Sequence, residues 1–321
     1  RALEKDPRNL RALLFKGDHL DRLGRPRAAM GFYQAALSVA GSFTEPPPKD
    51  VEAGLHRASA ASERLTGDYE AHLRRALDAQ GFADGAAPRF AESIDILCGR
   101  RPVYVQEPTR YLFPGLPQLT FYPRDSFPWL DALEAETPAI RAELELLLAG
   151  EERFKPYLER DAHSPQLNDS SNVGSLDWGA FYLWRDGALV PENARRCPAT
   201  VAALEAVPSP HVPGQTPTAL FSRLAPDTHI PPHNGMVNTR LICHLPIIVP
   251  PDCGELRVGN YSRPWVEGET LVFDDSIEHE AINRSDESRV VLLFDIWRPE
   301  LSEDERHWVR TLLQAVDSFG D

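Results

Sequence analysis

Two histidines, His233 and His279, stand in segments that read as facing strands of a β-barrel: THIPPHNG over 228–235 and DDSIEHEAIN over 274–283. Two imidazoles held about one barrel-width apart suggest a metal site, and neutral imidazole suits Fe, Zn, Cu or Ni alike. A three-residue iron face would normally add a carboxylate in an H-x-D/E pattern. Here the residue two beyond His233 is Gly235. On a strand, positions i and i+2 point to the same side, so the place of that carboxylate carries no side chain. Asp275, Glu278 or Glu280 could in principle complete the set.

The neighbouring strands supply other groups. In 239–249, alternation puts Arg240, Ile242 and His244 on one face and Leu241, Cys243 and Leu245 on the other. In 288–297, Arg289, Val291, Leu293 and Asp295 share a face. An arginine drawn inside a barrel needs an anion, because an unpaired buried charge is very costly, and its planar fork matches a carboxylate. A small dicarboxylate would satisfy Arg289 at one end and a metal at the other. The competing reading is an exposed strand-end arginine paired with Glu287. His229, His233, His244 and His279 cluster in this β-rich stretch, although a lone histidine is usually a polar core or surface residue. Asp274 and Asp275 either orient the His279 ring or lie in a solvated turn.

The elements that must position these groups change character along the chain. From about 176 the period is two. Candidate strands are 178–184, 219–224, 239–249, 255–258, 269–273, 278–283 and 288–297, a spacing that predicts an antiparallel sandwich or barrel. Before that the pattern is helical. Gly17, Leu20, Gly24, Ala29, Tyr33 and Ala36 fall at the spacing of a tetratricopeptide repeat, with Pro7 closing a preceding one; an ordinary helical hairpin is the other reading. One such repeat cannot bury its own face, so either more repeats precede Arg1 or the helical block packs on the next domain. Helix is expected again at about 51–82, at 128–136, and at 138–149 after Pro138. The organisation expected is α+β: a helical tetratricopeptide-like region over 1–82, a linker over 83–120, and an antiparallel β-domain, sandwich or barrel, with flanking helices over 121–321.

The totals exclude several classes. The formal net charge of −14 disfavours nucleic acid and anionic membrane surfaces as partners. No apolar run approaches the roughly 18 residues of a membrane span. Cys98, Cys197, Cys243 and Cys253 form no C-x-x-C pair, which argues against a zinc finger or thioredoxin-type motif and for a reducing compartment. Only Lys5, Lys16, Lys49 and Lys155 are lysine among 34 basic residues, a skew associated with GC-rich bacterial genomes. A bacterial cytoplasmic location is expected. The chain opens on Arg1 rather than Met and reads as a fragment or a processed chain, which leaves targeting and oligomeric state unread.

Over about 217–301 the chain resembles the aspartyl/asparaginyl β-hydroxylases. The likeness is carried by PHNG at 232–235, NTRL at 238–241, HL at 244–245, W-x-E-G at 265–268, LVFDDS at 271–276, EHE at 278–280, Arg289, and FDIW-x-PEL at 294–301. Weaker similarity reaches back to about Phe121. The resemblance implies that the β-domain is a double-stranded β-helix (jelly roll) and that it is an oxygenase taking Fe(II), 2-oxoglutarate as co-substrate, and O2. It implies iron on His233 and His279 alone, with glycine at the third position. It implies that Ser222 and Arg289 hold the distal carboxylate of 2-oxoglutarate, that His244 holds the carboxylate near the metal, and that Arg240 meets an acidic substrate side chain. Where animal members carry a second arginine, this chain has Ile242. The activity so implied is hydroxylation of an unactivated carbon, C-β of an aspartyl or asparaginyl residue in a peptide or protein. The alternatives are a lipid acyl chain, a small-molecule amino acid, or a non-catalytic binding scaffold.

Overall fold

The change of period along the chain becomes a division into two units, Arg1–Pro102 and Val103–Asp321. The structure is a computed structural model that describes residues 2–83, 85, 87–150, 154–159 and 173–319.

The first unit is helical: α1 (Ala2–Lys5), α2 (Leu10–Arg22), α3 (Pro26–Gly41), α4 (Lys49–Asp78) and α5 (Pro88–Leu97). Asn9 caps α2 by accepting from the Ala12 N–H at 3.0 Å, and Pro26 opens α3, where a missing N–H costs nothing. Gly17 sits against Tyr33. A Cβ at that position would stand 2.6 Å from the Tyr33 ring, so α2 and α3 approach this closely only because the residue is glycine. Leu13, Leu20, Ala29, Tyr33 and Ala36 share a core with Val51, Ala58 and Leu65 of α4. α5 lies in the stretch read from sequence as linker. It is tied back to α4 by Arg74, which reaches Glu70 at 3.0 Å and Asp95 at 2.9 Å. Phe90, Ile94 and Leu97 give it a helical apolar spacing, but only Ile94 of its ten residues is fully buried.

The second unit contains α6 (Leu130–Ala135), α7 (Thr137–Ala149), β1 (Lys155–Pro156), β2 (Trp178–Arg185), β3 (Ala188–Leu189), α8 (Pro191–Ala194), α9 (Pro198–Glu205), β4 (Ala219–Leu224), β5 (Thr228–His233), β6 (Arg240–Ile248), β7 (Glu255–Val258), β8 (Tyr261–Pro264), β9 (Leu271–Phe273), β10 (His279–Asn283), β11 (Arg289–Trp297) and α10 (Glu303–Asp317). Among the described residues one sheet runs β1-β2-β4-β11-β6-β9, with β3 beside β2, and the other runs β5-β10-β7-β8. Every pairing between these strands is antiparallel. The fold of the chain is α+β, a helical region followed by a double-stranded β-helix.

Alternation along the strands divides the core in two. Leu241, Cys243, Leu245, Leu292 and Phe294 face Ile140, Leu144 and Leu147 of α7. Leu220, Leu224, Val291 and Leu293 face Ile230, Leu256, Val258 and Ala281 across the inside of the barrel. α10 seats Val309 and Leu313 against Val212, Trp297 and Leu301, and a capping box between Ser302 and Glu305 starts it. The span 103–120 was also expected to be linker. It runs across the barrel wall instead, with Glu107 N–H donating to Ser276 O at 2.8 Å, Thr109 N–H to Gly235 O at 2.9 Å and Tyr111 N–H to Met236 O at 3.0 Å.

Candidate active site

β5 and β10 place His233 directly opposite His279. Strict alternation would put His233 on the face of His229, four positions earlier. A bulge prevents this: between the His279 pair and the Ala281 pair, β5 holds one residue more than β10. Pro231 and Pro232 sit in that interval, and neither has an N–H to lose from the ladder. The extra residue turns His233 inward while His229 stays outward, 2.7 Å from Glu280. Glu278 and Glu280 both engage Arg257, Glu278 at 2.9 Å, which takes these two carboxylates away from the histidine pair.

The two imidazole rings lie 4.1 Å apart, centroid to centroid, at 48°. His233 Nδ1 faces the Pro231 carbonyl at 2.8 Å and His279 Nδ1 faces the Ile277 carbonyl at 3.1 Å. A carbonyl only accepts, so each Nδ1 carries the proton and each Nε2 keeps a lone pair for a metal. Burial holds both rings below the usual histidine range, and His279, beside His233, is pushed down to about 3. Both are neutral at physiological pH, the form that ligates metal. Among the described residues no third His, Cys, Asp or Glu converges with them.

Gly235 lines the same cavity. A Cβ there would fall within the carboxyl group of Asp275, whose backbone carbonyl also accepts the Gly235 N–H at 2.7 Å. The position two beyond His233 is thus closed to any side chain by a residue from the facing segment. Burial pushes the Asp275 carboxyl up to about 7, against the pull of Arg240. Asp274 neither orients the His279 ring nor sits in a solvated turn. It is fully buried and accepts from Arg298 Nη1 at 2.9 Å, Gln106 Nε2 at 2.7 Å and the Ser276 hydroxyl. Arg298 also donates to Asn238 O and Pro117 O. This buried knot ties the 103–120 span to the segments that carry both histidines.

A second set of groups is defined by what it lacks. Arg289 is 1% exposed, and its Nε and Nη1 have no hydrogen-bond partner among the described residues. Its guanidinium lies 4.3 Å over the Trp265 ring, and burial lowers its pKa to about 10. The exposed strand-end reading is excluded. His244 is buried with Nδ1 unpartnered and is held well below the usual histidine range by burial, Arg289 and His279. The Trp265 indole N–H is a further buried donor without a partner. Ser222, across the sheet from Val291, accepts from Trp178 Nε1 at 3.2 Å, which leaves its own O–H to donate. Unsatisfied buried donors of this kind cost a protein free energy unless a ligand answers them. Together they fit a small dianion, and the two neutral histidines fit a divalent iron. Trp265 and Trp178 carry no role in the sequence reading, because an indole inside a barrel reads only as core.

Arg240 is differently placed. Its Nη1 donates to Asp295 Oδ2 at 2.8 Å and its Nη2 stands 3.7 Å from Asp275. It lines, with His233, His244 and His279, a cavity of about 860 Å³. Four of the six expected site residues line this cavity, His233, His279, His244 and Arg240, and Arg289 is close enough to act on the charge of His244. Ser222 joins them through Trp178, which is a wall residue itself.

Residues 134–299 match the sequence profile of the family described as Aspartyl/Asparaginyl beta-hydroxylase. The chain is 38% identical over 185 residues to the ornithine lipid ester-linked acyl 2-hydroxylase of Rhizobium tropici, covering 56% of this chain and 60% of that protein. It is 33% identical over 206 residues to the human aspartate beta-hydroxylase domain-containing protein 2, covering 63% of this chain and 53% of that one. With the human aspartyl/asparaginyl beta-hydroxylase it shares 34% identity over 130 residues, 40% of this chain and 17% of that one. It therefore spans less than two thirds of the length of these relatives. Among solved structures, an oxidoreductase of the 2OG-Fe(II) oxygenase family from Burkholderia pseudomallei aligns over 62% of this chain and 99% of its own, at 14% identity and a TM-score of 0.30, too distant to carry weight.

Proposed function

Because the chain belongs to the aspartyl/asparaginyl β-hydroxylase family, we propose that it is an Fe(II)- and 2-oxoglutarate-dependent dioxygenase that hydroxylates an unactivated carbon. The observation that carries this reading is a pair of neutral, inward imidazoles in the same barrel as a buried guanidinium that meets no carboxylate among the described residues. Iron, 2-oxoglutarate and O2, when bound, supply an oxidation that no side chain can perform: one oxygen atom enters the C–H bond, the other enters succinate, and the co-substrate is the reductant, losing CO2.

The protein's own part is positioning and exclusion of water. His233 and His279 hold the metal through Nε2, with their rings fixed by the Pro231 and Ile277 carbonyls. Arg289, flattened on Trp265, offers two parallel donors to the distal carboxylate, and Ser222 adds its hydroxyl. His244 Nδ1 serves the carboxylate nearer the metal. Holding the co-substrate at both ends converts a chance encounter into a fixed geometry. The family name points to an aspartyl or asparaginyl substrate residue, and the name of the R. tropici relative to an ester-linked acyl chain.

The test is succinate formed from 2-oxoglutarate under air with Fe(II). Native protein is expected to turn over slowly without substrate, and His279→Ala and Arg289→Ala are expected to be silent. Equal turnover in all three proteins would sink the reading.

A further inference from the structure

α10 carries two apolar faces, and the barrel domain uses one of them. Val309 and Leu313 are buried against Val212, Trp297 and Leu301. Trp308, Leu312 and Val316 follow one another at four-residue steps on another side and are 65%, 43% and 48% exposed. Phe319, just past the helix, is 92% exposed. Its N–H still reaches back to Val316 O at 3.3 Å, so it continues the turn of α10. At 3.6 residues per turn, Trp308, Leu312, Phe319 and the exposed Ala315 fall within an arc of about 60°, with Val316 on its flank. Single exposed apolar residues are ordinary on a protein surface. A continuous stripe holding a tryptophan and a phenylalanine marks a contact surface.

The stripe is complementary to itself. Trp308 and Phe319 stand at equal distances from the point midway between Leu312 and Ala315. A two-fold axis through that point runs two α10 helices antiparallel. It sets each Trp308 against the second copy's Phe319 and each Leu312 beside the second copy's Ala315. Aromatic meets aromatic and a large side chain meets a small one, as a self-matching two-fold contact requires. Charge selects the same direction. The first turn of α10 carries Glu303, Asp304 and Glu305, and its last turn carries no basic residue. Antiparallel pairing keeps the two acidic first turns at opposite ends and opposes the helix dipoles, whereas parallel pairing would bring like charges together.

The area suits a weak, reversible dimer. A buried aromatic side chain carries about 150–250 Å², so the stripe exposes on the order of 500 Å² per copy. Two copies together would lose on the order of 1,000 Å², the lower edge of a specific interface. A membrane surface fits less well. Helices that lie on membranes carry Lys and Arg on their polar face. Here Glu303, Asp304, Glu305 and Asp317 outnumber Arg306 and Arg310, on a chain whose formal net charge is −14.

We propose that the exposed face of α10 is a homodimer contact, in which two copies of this chain pair antiparallel through Trp308, Leu312, Ala315 and Phe319. Apolar burial holds the pair against the mutual repulsion of two acidic chains, so added salt tightens it. The contact is independent of the chemistry at the histidine pair.

Sedimentation velocity of the full chain over a concentration series tests this. Native protein is expected to show a monomer–dimer equilibrium in the micromolar range, at least twofold tighter when salt rises from about 0.05 to about 0.5 M. Trp308→Glu and Leu312→Glu are each expected to weaken association at least tenfold with Tm unchanged, because both side chains are exposed. Direction is read by oxidative cross-linking, and the four native cysteines are all buried. A mixture of Trp308→Cys and Phe319→Cys is expected to give a covalent dimer that neither variant gives alone. Native protein that stays monomeric at every concentration overturns the proposal, as does a dimer that both glutamate variants leave intact. Cross-linking of each cysteine variant with itself would mean parallel pairing and overturns it too. So does flotation of native protein, but not of Trp308→Glu, with phosphatidylcholine vesicles, which would give the face to a membrane.

Discussion

Arg240 and Arg289 are both inward-facing arginines near the ends of long strands of one sheet, yet their surroundings are opposite. Arg240 is met by Asp295 and approached by Asp275. Among the described residues Arg289 meets no carboxylate; it has Trp265 beneath it and the depressed pKa of a desolvated cation. A buried charge that is paired is part of the scaffold, and one that is unpaired is waiting for a ligand. The two arginines show that residue type and inward direction do not identify a binding group. What separates the two is the presence or absence of a protein counter-charge.

The comparison breaks most decisively at Arg240. Arg240→Met strands Asp295 in the core and is expected to destabilise the protein by about 3–5 kcal/mol, read as a large fall in Tm. The same substitution at Arg289 is expected to act with the opposite sign on stability. Removing an unanswered charge leaves Tm unchanged or raises it, while calorimetric affinity for 2-oxoglutarate falls roughly 100-fold or more. A fall in Tm at Arg289 comparable to that at Arg240 would erase the distinction.

The pH dependence of the metal-free protein comes next in size. His279, held at about 3 when folded, titrates near 6.5 when unfolded. The unfolded chain therefore binds the extra proton first, and stability is intact above about 6.5 and lost as pH falls from there toward 3. The slope is up to about 1.4 kcal/mol per pH unit for each such histidine; His233 and His244 act in the same direction. Asp275, raised to about 7, opposes them, because the folded state holds its proton over much of that window. Asp275→Asn is expected to steepen the acid loss in denaturant titrations, and an unchanged slope would remove Asp275 from this account. The smallest effect is expected at Trp265→Leu. It takes away the stacking surface worth about 2 kcal/mol to a desolvated guanidinium, so 2-oxoglutarate affinity falls up to about thirtyfold with Arg289 still present.

Much of the barrel was legible because its strands alternate cleanly. Leu241, Cys243 and Leu245 face the helices while Ile242 and His244 face the cavity, as a period of two requires. Features without an apolar period were not legible. β8 is such a feature, exposed at all four residues; α5 and α10 do carry apolar spacing, at Phe90 and Ile94 and at Val309 and Leu313, but lie in stretches read as linker and as β-domain. Arg298 falls at the unassigned position of the FDIW-x-PEL run, yet it is fully buried at the centre of the knot on Asp274. Its role comes from partners 24 to 181 positions away, and no local pattern encodes them.

By itself the sequence determined the α+β order, the tetratricopeptide-like spacing around Gly17 and Tyr33, the two inward faces of the long strands, and the identity of the two histidines. These come from local periodicity and residue type, which a chain carries in one dimension. Tertiary structure alone decided that a bulge at Pro231 and Pro232 turns His233 inward and leaves His229 outside, that Asp275 closes the space beside Gly235, and that Arg240 is answered by Asp295 while Arg289 is not. Each of these depends on which distant group arrives at a given atom, and that is set by register and packing between strands rather than by any spacing along the chain.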